Sequence, residues 1–290
     1  MSYSLIGVLV LGGSVLYAVL GVLFGRKLMR HRVAEGHNDV LVPIFLTAGV
    51  IYAVLLAFIV VAMWESYDNA KANTAEEASL LVPLYRQSMD FSPQKGAEMR
   101  KLIREYGEGV VEQWEHFRVT GEGSASARLA VDRIIHLYGT LTPATKIKEI
   151  VDAQFYETFS SLMTDRNKRL LQASESLSWV MWLAAIGGGM IVVGMCFVLY
   201  MDKALMHFVM TSILSAMIGA LLVVMIILDR PFVGPLGISP EPFDASLALF
   251  EKIDGDFKQI EDEEAKEAGG TAPADAVAPA AAPEVKPRPN

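Results

Sequence analysis

Four long stretches of this chain contain no Asp, Glu, Lys or Arg: Met1 to Gly25, Val40 to Trp64, Ser176 to Met201 and Ala204 to Leu228. Each exceeds the roughly 20 residues that a helix needs to cross ~30 Å of hydrocarbon. Backbone N–H and C=O groups find no water in that layer, so each segment must satisfy its own by coiling into a helix. Four buried helices of a water-soluble protein would need a polar coat, and the rest of the chain is too short to supply it. The sequence therefore predicts an all-α integral membrane protein with four transmembrane helices, at 1–25, 40–64, 176–201 and 204–228. The first stretch is read as a retained helix, because it has no basic leader, exceeds a signal-peptide core in length and is followed by no A-x-A site.

Aromatic residues gather near the span ends (Tyr3, Tyr17, Tyr52, Trp64, Trp179, Trp182, Tyr200), as interfacial aromatics do. Small residues recur at helix-packing intervals: Gly21 with Gly25, Ala184 with Gly188, Ser215 with Gly219, and Ser212 with Ala216 and Ala220. Such spacing lets helices approach closely in lipid and predicts a packed bundle, not a function.

Residues 65–175 are charged and helical in period, and read as an extramembrane bundle between spans two and three. Ser92-Pro93 has the form of a helix start, N-cap then N1. Leu102, Ile103, Tyr106, Val110, Trp114 and Phe117 follow at steps of three and four, which makes one apolar stripe. Gly121 to Ser124 breaks that helix, and a shorter one is predicted from Ala125 to Tyr138. Thr142-Pro143 opens another, with Ile147, Val151, Phe155, Phe159 and Leu162 on one face. No strong breaker lies between Trp64 and Pro83, nor between this last helix and Trp179. Both spans are therefore expected to project from the membrane as continuous helices.

Residues 26–39 form a basic loop carrying Arg26, Lys27, Arg30 and Arg32. With Lys203 they balance Lys71, Arg166, Lys168, Arg169 and Arg230 on the other side, so the positive-inside rule returns a tie. Pro231 ends the fourth span, since proline cannot continue a helix. Residues 233–242 read as extended. Residues 229–260 combine a Pro-Phe-Gly segment with a short amphipathic helix from Phe243 to about Ile260. Residues 261–290 read as an acidic run and then an Ala/Pro-rich disordered tail.

The formal charge of -8 argues against nucleic acid as a partner. The lone Cys196 excludes an internal disulfide and reads as a small buried hydrophobe. Glu112 and His116, four apart, read as an ion pair rather than metal ligands, and His207 lies just inside the fourth span, at the interface. The spans carry no charges, the usual markers of pumps. No catalytic motif, metal site or cofactor loop is present, so neither an enzyme nor an ion-coupled transporter is expected.

Two segments carry a pattern. The first runs from Phe58 through Trp64-Glu65-Ser66-Tyr67-Asp68-Asn69-Ala70 and Ala75-Glu76-Glu77-Ala78 to Leu84-Tyr85-Arg86. The second is Asp229-Arg230-Pro231-Phe232-Val233-Gly234. With the four-span layout, these resemble the bestrophin-like family of mostly bacterial membrane proteins, which is itself remotely similar to the bestrophin anion channels. The resemblance runs to about Phe243. It implies a homo-oligomer, in the channels a pentamer, in the cell membrane. It also implies a central pore lined by the second span, passage of chloride or other small anions, and a cytoplasmic bundle and tail. The motif positions are Trp64, Glu65, Glu77, Arg86, Asp229, Arg230, Pro231, Phe232 and Gly234. Two departures stand out: Pro235 to Ser239 replaces the acidic cluster of calcium-gated bestrophins, and a single Trp64 replaces a doubled Trp.

Two readings of function remain. In the first, Ile51, Leu55, Phe58 and Ala62 line a hydrophobic neck of an anion pore. In the second, those residues simply pack against neighbouring helices. The chain is then a non-conducting scaffold or sensor whose bundle and acidic tail bind a partner.

Overall fold

The computed structural model describes residues 3–29, 37–141, 146–234 and 236–270. All regular structure among them is helical: α1 (Tyr3–Met29), α2 (His37–Ser79), α3 (Leu81–Gln87), α4 (Pro93–Glu112), α5 (Trp114–Thr120), α6 (Ala125–Gly139), α7 (Lys146–Ser174), α8 (Trp179–Val198), α9 (Ala204–Leu228) and α10 (Glu241–Gly270). Four of these, α1, α2, α8 and α9, are long and apolar enough to cross a membrane. The all-α membrane architecture expected from the sequence is the architecture found.

The span helices pack through small residues and a few polar pins. α1 lies along α9 and against α8, while α2 packs on α8 and α9. A Cβ on Gly21 would strike the Phe197 ring, and one on Gly25 the Phe197 carbonyl, so glycine permits the approach of α1 to α8. Ser215 Oγ donates to Ser14 O at 2.6 Å, Tyr52 Oη to Ala185 O at 2.9 Å and Tyr17 Oη to Met190 O at 3.1 Å, each tying one helix to another. At the end of α8 the carbonyls left without helical partners are taken up by side chains. His37 Nε2 donates to Val198 O (3.1 Å) and Arg26 Nη1 to Met201 O (2.8 Å). Asn38 grips Tyr200 from both sides, donating to its carbonyl (2.8 Å) and accepting from its amide (3.0 Å).

α2 has 43 residues. At 1.5 Å per residue it is about 65 Å long, twice the hydrocarbon thickness, so it projects far beyond the membrane as expected. It stops at Ser79, and Pro83 falls in the first turn of α3, where a missing N–H costs little.

The other expected projection fails. Residues 175–178 separate α7 from α8. Asp229, just past α9, accepts the Leu177 amide on its Oδ1 at 2.7 Å, and the Ser178 hydroxyl accepts from Val180 N at 3.4 Å as the N-cap of α8. A distant carboxylate and a local cap thus break a helix that no local glycine or proline would break. The third span accordingly runs Trp179–Val198, not 176–201.

Outside the span region, the predicted α4 stripe is buried along its length, from Leu102 through Tyr106 and Val110 to Trp114 and Phe117. The helix is interrupted at Gln113, whose side-chain oxygen accepts from Ala125 N at 3.1 Å and links α5 to α6. α4 packs on α6, and α7 on α2 and α3. Phe155, Phe159 and Leu162 of α7 are buried as predicted. The Thr142-Pro143 start lies outside the described residues.

The described residues of 233–242 are not extended. Val233 N bonds Arg230 O, Ile238 N bonds Pro231 O (3.0 Å) and Gly237 N bonds Gly234 O (3.1 Å), so the chain doubles back. Gly234 has φ 98°, a conformation glycine alone adopts without strain. Tyr3 packs on it so closely that a Cβ would lie 2.9 Å from the ring.

The chain from Ala248 onward is a separate compact unit, and its described part is the remainder of α10. That helix runs to Gly270, through the acidic stretch and past the expected end near Ile260. The basic-loop residues 30–36, Pro235 and the tail 271–290 lie outside the described residues.

Candidate functional site

α2 has two faces at membrane depth. Tyr52, Leu56, Ile59 and Met63 are buried and join Ala185, Val192, Met225 and Leu228 in the core of the span bundle. Ile51 is 66% exposed, Leu55 40% and Phe58 72%, and Ala62 is exposed as well. The four candidate pore residues therefore share a face that packs on no helix of their own protomer. At 100° per residue, Glu65 and Glu76 continue this face beyond the apolar stretch, and both are exposed.

Where α2 leaves the span bundle it is clamped by a buried ion pair. Glu77 is 0% exposed; it accepts Arg169 Nε at 2.6 Å, Arg169 Nη2 at 3.0 Å and Tyr106 Oη at 2.5 Å. The guanidinium is enclosed by rings, 4.8 Å from the centroid of Phe117, 5.6 Å from Trp114 and 5.7 Å from Phe243. Burial, then the neighbouring Glu77 charge, push the Tyr106 hydroxyl well above its ordinary pKa. Burial works to lower that of Arg169, but the Glu77 carboxylate and its hydrogen bonds more than offset this and the net shift is upward. Next to the pair, Asn73 Nδ2 donates to Asp165 O at 3.0 Å and adds a second α2–α7 tie.

The motif after α9 closes the other side of the clamp. Phe232 is buried 5.0 Å from the Phe117 ring and 6.1 Å from Trp114. Arg118 Nε donates to Phe232 O (2.9 Å), Trp114 Nε1 to Ile238 O (3.1 Å) and Tyr67 Oη to Leu236 O (2.8 Å). The two sequence segments, far apart in the chain, thus meet through one aromatic cluster around Arg169.

The motif positions divide. Glu77, Pro231 and Phe232 are buried, Asp229 holds the Leu177 amide, and Gly234 makes the turn. Trp64, Glu65, Arg86 and Arg230 are exposed. Sequence reasoning did not single out Arg169 as the partner of Glu77. The signal was there: Arg169 sits seven residues after Leu162, on the apolar stripe of its helix.

Other candidates resolve simply. His116 lies 3.8 Å from Glu122 rather than pairing with Glu112, because the turn at Gln113 ends the helix between them. His207 is buried in the first turns of α9, and its Nε2 donates to Cys196 O at 2.8 Å. Cys196 is a buried free thiol. Among the described residues no group of His, Cys, Asp and Glu is arranged to hold a metal.

The fold has a known counterpart. A bacterial bestrophin homologue from Klebsiella pneumoniae, solved by crystallography as a point variant, superposes with a TM-score of 0.64 at 14% identity, over 85% of this chain and 98% of that one. At that identity the likeness is one of fold. No curated protein matches in sequence. The Bestrophin-like domain matches residues 12–243, which takes in the greater part of the first span, the other three spans, the clamp and the turn after α9. The chain belongs to the bestrophin-like family.

Proposed function

We propose that this protein is an oligomeric ion channel of the cell membrane, with an axial pore lined by Ile51, Leu55, Phe58 and Ala62 of α2. Its permeant species are chloride or other small anions, and its bundle and tail face the cytoplasm. The observation that carries this reading is the division of α2: one stripe is buried in the protomer, while the stripe about 100° around the helix from it, with Phe58 at 72% exposure, is left for an axis or a neighbour. An uncharged helix face of large apolar side chains makes a hydrophobic constriction, and such constrictions gate by dewetting. A pentamer, as in the channels the family resembles, would repeat this face around the axis.

Purified protein in liposomes should give chloride flux above that of empty vesicles, and Phe58→Ala should raise it by widening the neck. Flux equal to that of empty vesicles would remove the proposal. A monomer or dimer in mild detergent, together with a soluble protein captured by the bundle, would favour the scaffold reading instead.

A second reading of the ion is favoured by Glu65 and Glu76, exposed on the pore-facing line beyond the apolar stretch. Repeated around an axis, carboxylates at a pore mouth concentrate cations. The sign of the reversal potential under a potassium chloride gradient separates the two, and Glu65→Gln should shift it if cations pass.

A further inference from the structure

The basic residues at the end of α1 play no part in the pore. Arg26 and Lys27 lie in its last turn. With Phe197, Leu199, Tyr200 and Met201 they line a cavity of about 440 Å³ where the apolar stretch ends. Two backbone acceptors on its wall are already engaged, Met201 O by Arg26 and Tyr200 O by Asn38. Arg26 commits Nη1 to that bond, but a guanidinium has five N–H donors in all. Asp39 and Asp202, the carboxylates at the neighbouring ends of α2 and α9 among the described residues, are both exposed. Neither Arg26 nor Lys27 forms an ion pair among the described residues.

The cavity therefore offers two cations with no ion pair among the described residues and an aromatic wall, at the depth of lipid headgroups. The partner this selects is an anion that accepts several N–H donors, and a phosphate oxygen cluster is the common one at that depth. Helix dipole alone accounts for a cation near a helix C-terminus, but not for a cavity beside it. Nor does topology account for the cluster, since the Lys and Arg counts on the two sides are equal.

We propose that this pocket binds a phosphate group, presented by the headgroup of an anionic phospholipid or as a free ion. The test uses the full chain. Wild-type protein is equilibrated with equal phosphatidylglycerol and phosphatidylcholine in detergent, and bound lipid is read by native mass spectrometry. Separately, inorganic phosphate is titrated against the thermal unfolding of delipidated protein.

Lys27→Gln is the informative variant, because Lys27 is exposed and engages no described group, so its loss leaves the fold intact. A phospholipid site predicts selective retention of phosphatidylglycerol, reduced roughly fivefold by Lys27→Gln and unchanged by Lys71→Gln. A soluble-phosphate site predicts a phosphate-dependent rise in unfolding temperature that Lys27→Gln abolishes. Either outcome supports the site and assigns its source. Equal retention of both lipids without phosphate stabilisation, or a Lys27→Gln protein indistinguishable from wild type in both measurements, overturns it.

Discussion

The span bundle and the extramembrane bundle are built from the same kind of element but held by different forces. In the span bundle the outside is as apolar as the inside: Phe58 and Leu205 are exposed while Leu56 and Met225 are buried. Burial there gains nothing from leaving water, so cohesion comes from close approach at Gly21 and Gly25 and from pins such as Tyr52 to Ala185. Outside the membrane the stripes of α4 and α7 are amphipathic, water drives their burial, and that core can accommodate an ion pair at Glu77 and Arg169. One lesson follows for reading such chains. Outside the membrane a stripe reveals which face is inside, whereas at membrane depth an apolar stripe is silent about core, lipid or pore.

The largest expected effect lies in the clamp. Arg169→Met leaves the Glu77 carboxylate buried with only the Tyr106 hydroxyl, and removing one member of a buried pair costs about 3–5 kcal/mol. Thermal unfolding in detergent should fall sharply. The double variant Glu77→Leu with Arg169→Met should recover much of the loss, because the cost lies in the stranded charge. A double variant no better than the single one would show that the aromatic cage, not the charge balance, sets the stability of this region.

Tyr106→Phe is milder. It removes a hydrogen bond to a charged acceptor, about 1.5–3 kcal/mol. It also tests the pKa. The hydroxyl is held neutral well above its ordinary value in the folded state. In the unfolded chain it ionises near pH ~10, so the unfolded state holds fewer protons above that point. The contribution of Tyr106 is full below the unfolded value and is lost as pH climbs toward the folded one. The gap in stability between wild type and Tyr106→Phe should therefore narrow above about pH 10. A constant gap would contradict the buried, neutral assignment.

In the span bundle the comparable lesion is steric. Gly25→Ala drives a methyl against the backbone carbonyl of Phe197, which cannot swing aside as a side chain would. Overpacking of this kind costs about 1–3 kcal/mol. Unchanged unfolding would mean that α1 and α8 approach less closely than described.

Sequence made different amounts of the two regions legible. Four uncharged blocks sufficed for the spans, because lipid tolerates no charge and requires each backbone to close on itself. The stripe Leu102 to Phe117 was legible because water and core differ. Glu77 was flagged by its motif, yet its partner Arg169 lies 92 residues away, and a helix period fixes a face, not what meets it. The break at 175–178 was illegible for the same reason: Asp229, which holds the Leu177 amide, is 52 residues distant. Residues 233–242 misled because glycine and proline signal irregular chain without saying whether it extends or turns, and here Gly234 turns it. The outward face of α2 was legible only as a spacing, because every neighbouring position of the span is apolar too.

The smallest expected effect sharpens the comparison most. Tyr52→Phe deletes the hydroxyl that joins α2 to the Ala185 carbonyl at 2.9 Å. In water-driven cores a stranded partner makes such a deletion costly. Here the acceptor is a carbonyl in the first turns of α8, which the helix itself engages through the amide four residues on. Nothing is stranded, and the ring still fills its place against Gly188 and Gly189. Hydrogen bonds between spans average about 0.6 kcal/mol, since the separated helices find other partners in the membrane. Tyr52→Phe should therefore shift unfolding by no more than about that amount, several-fold less than Tyr106→Phe. If the two hydroxyls proved equally costly, the difference drawn between the bundles would be wrong. The Tyr52 bond would then have to be holding a register of α2 on α8 that packing alone does not fix.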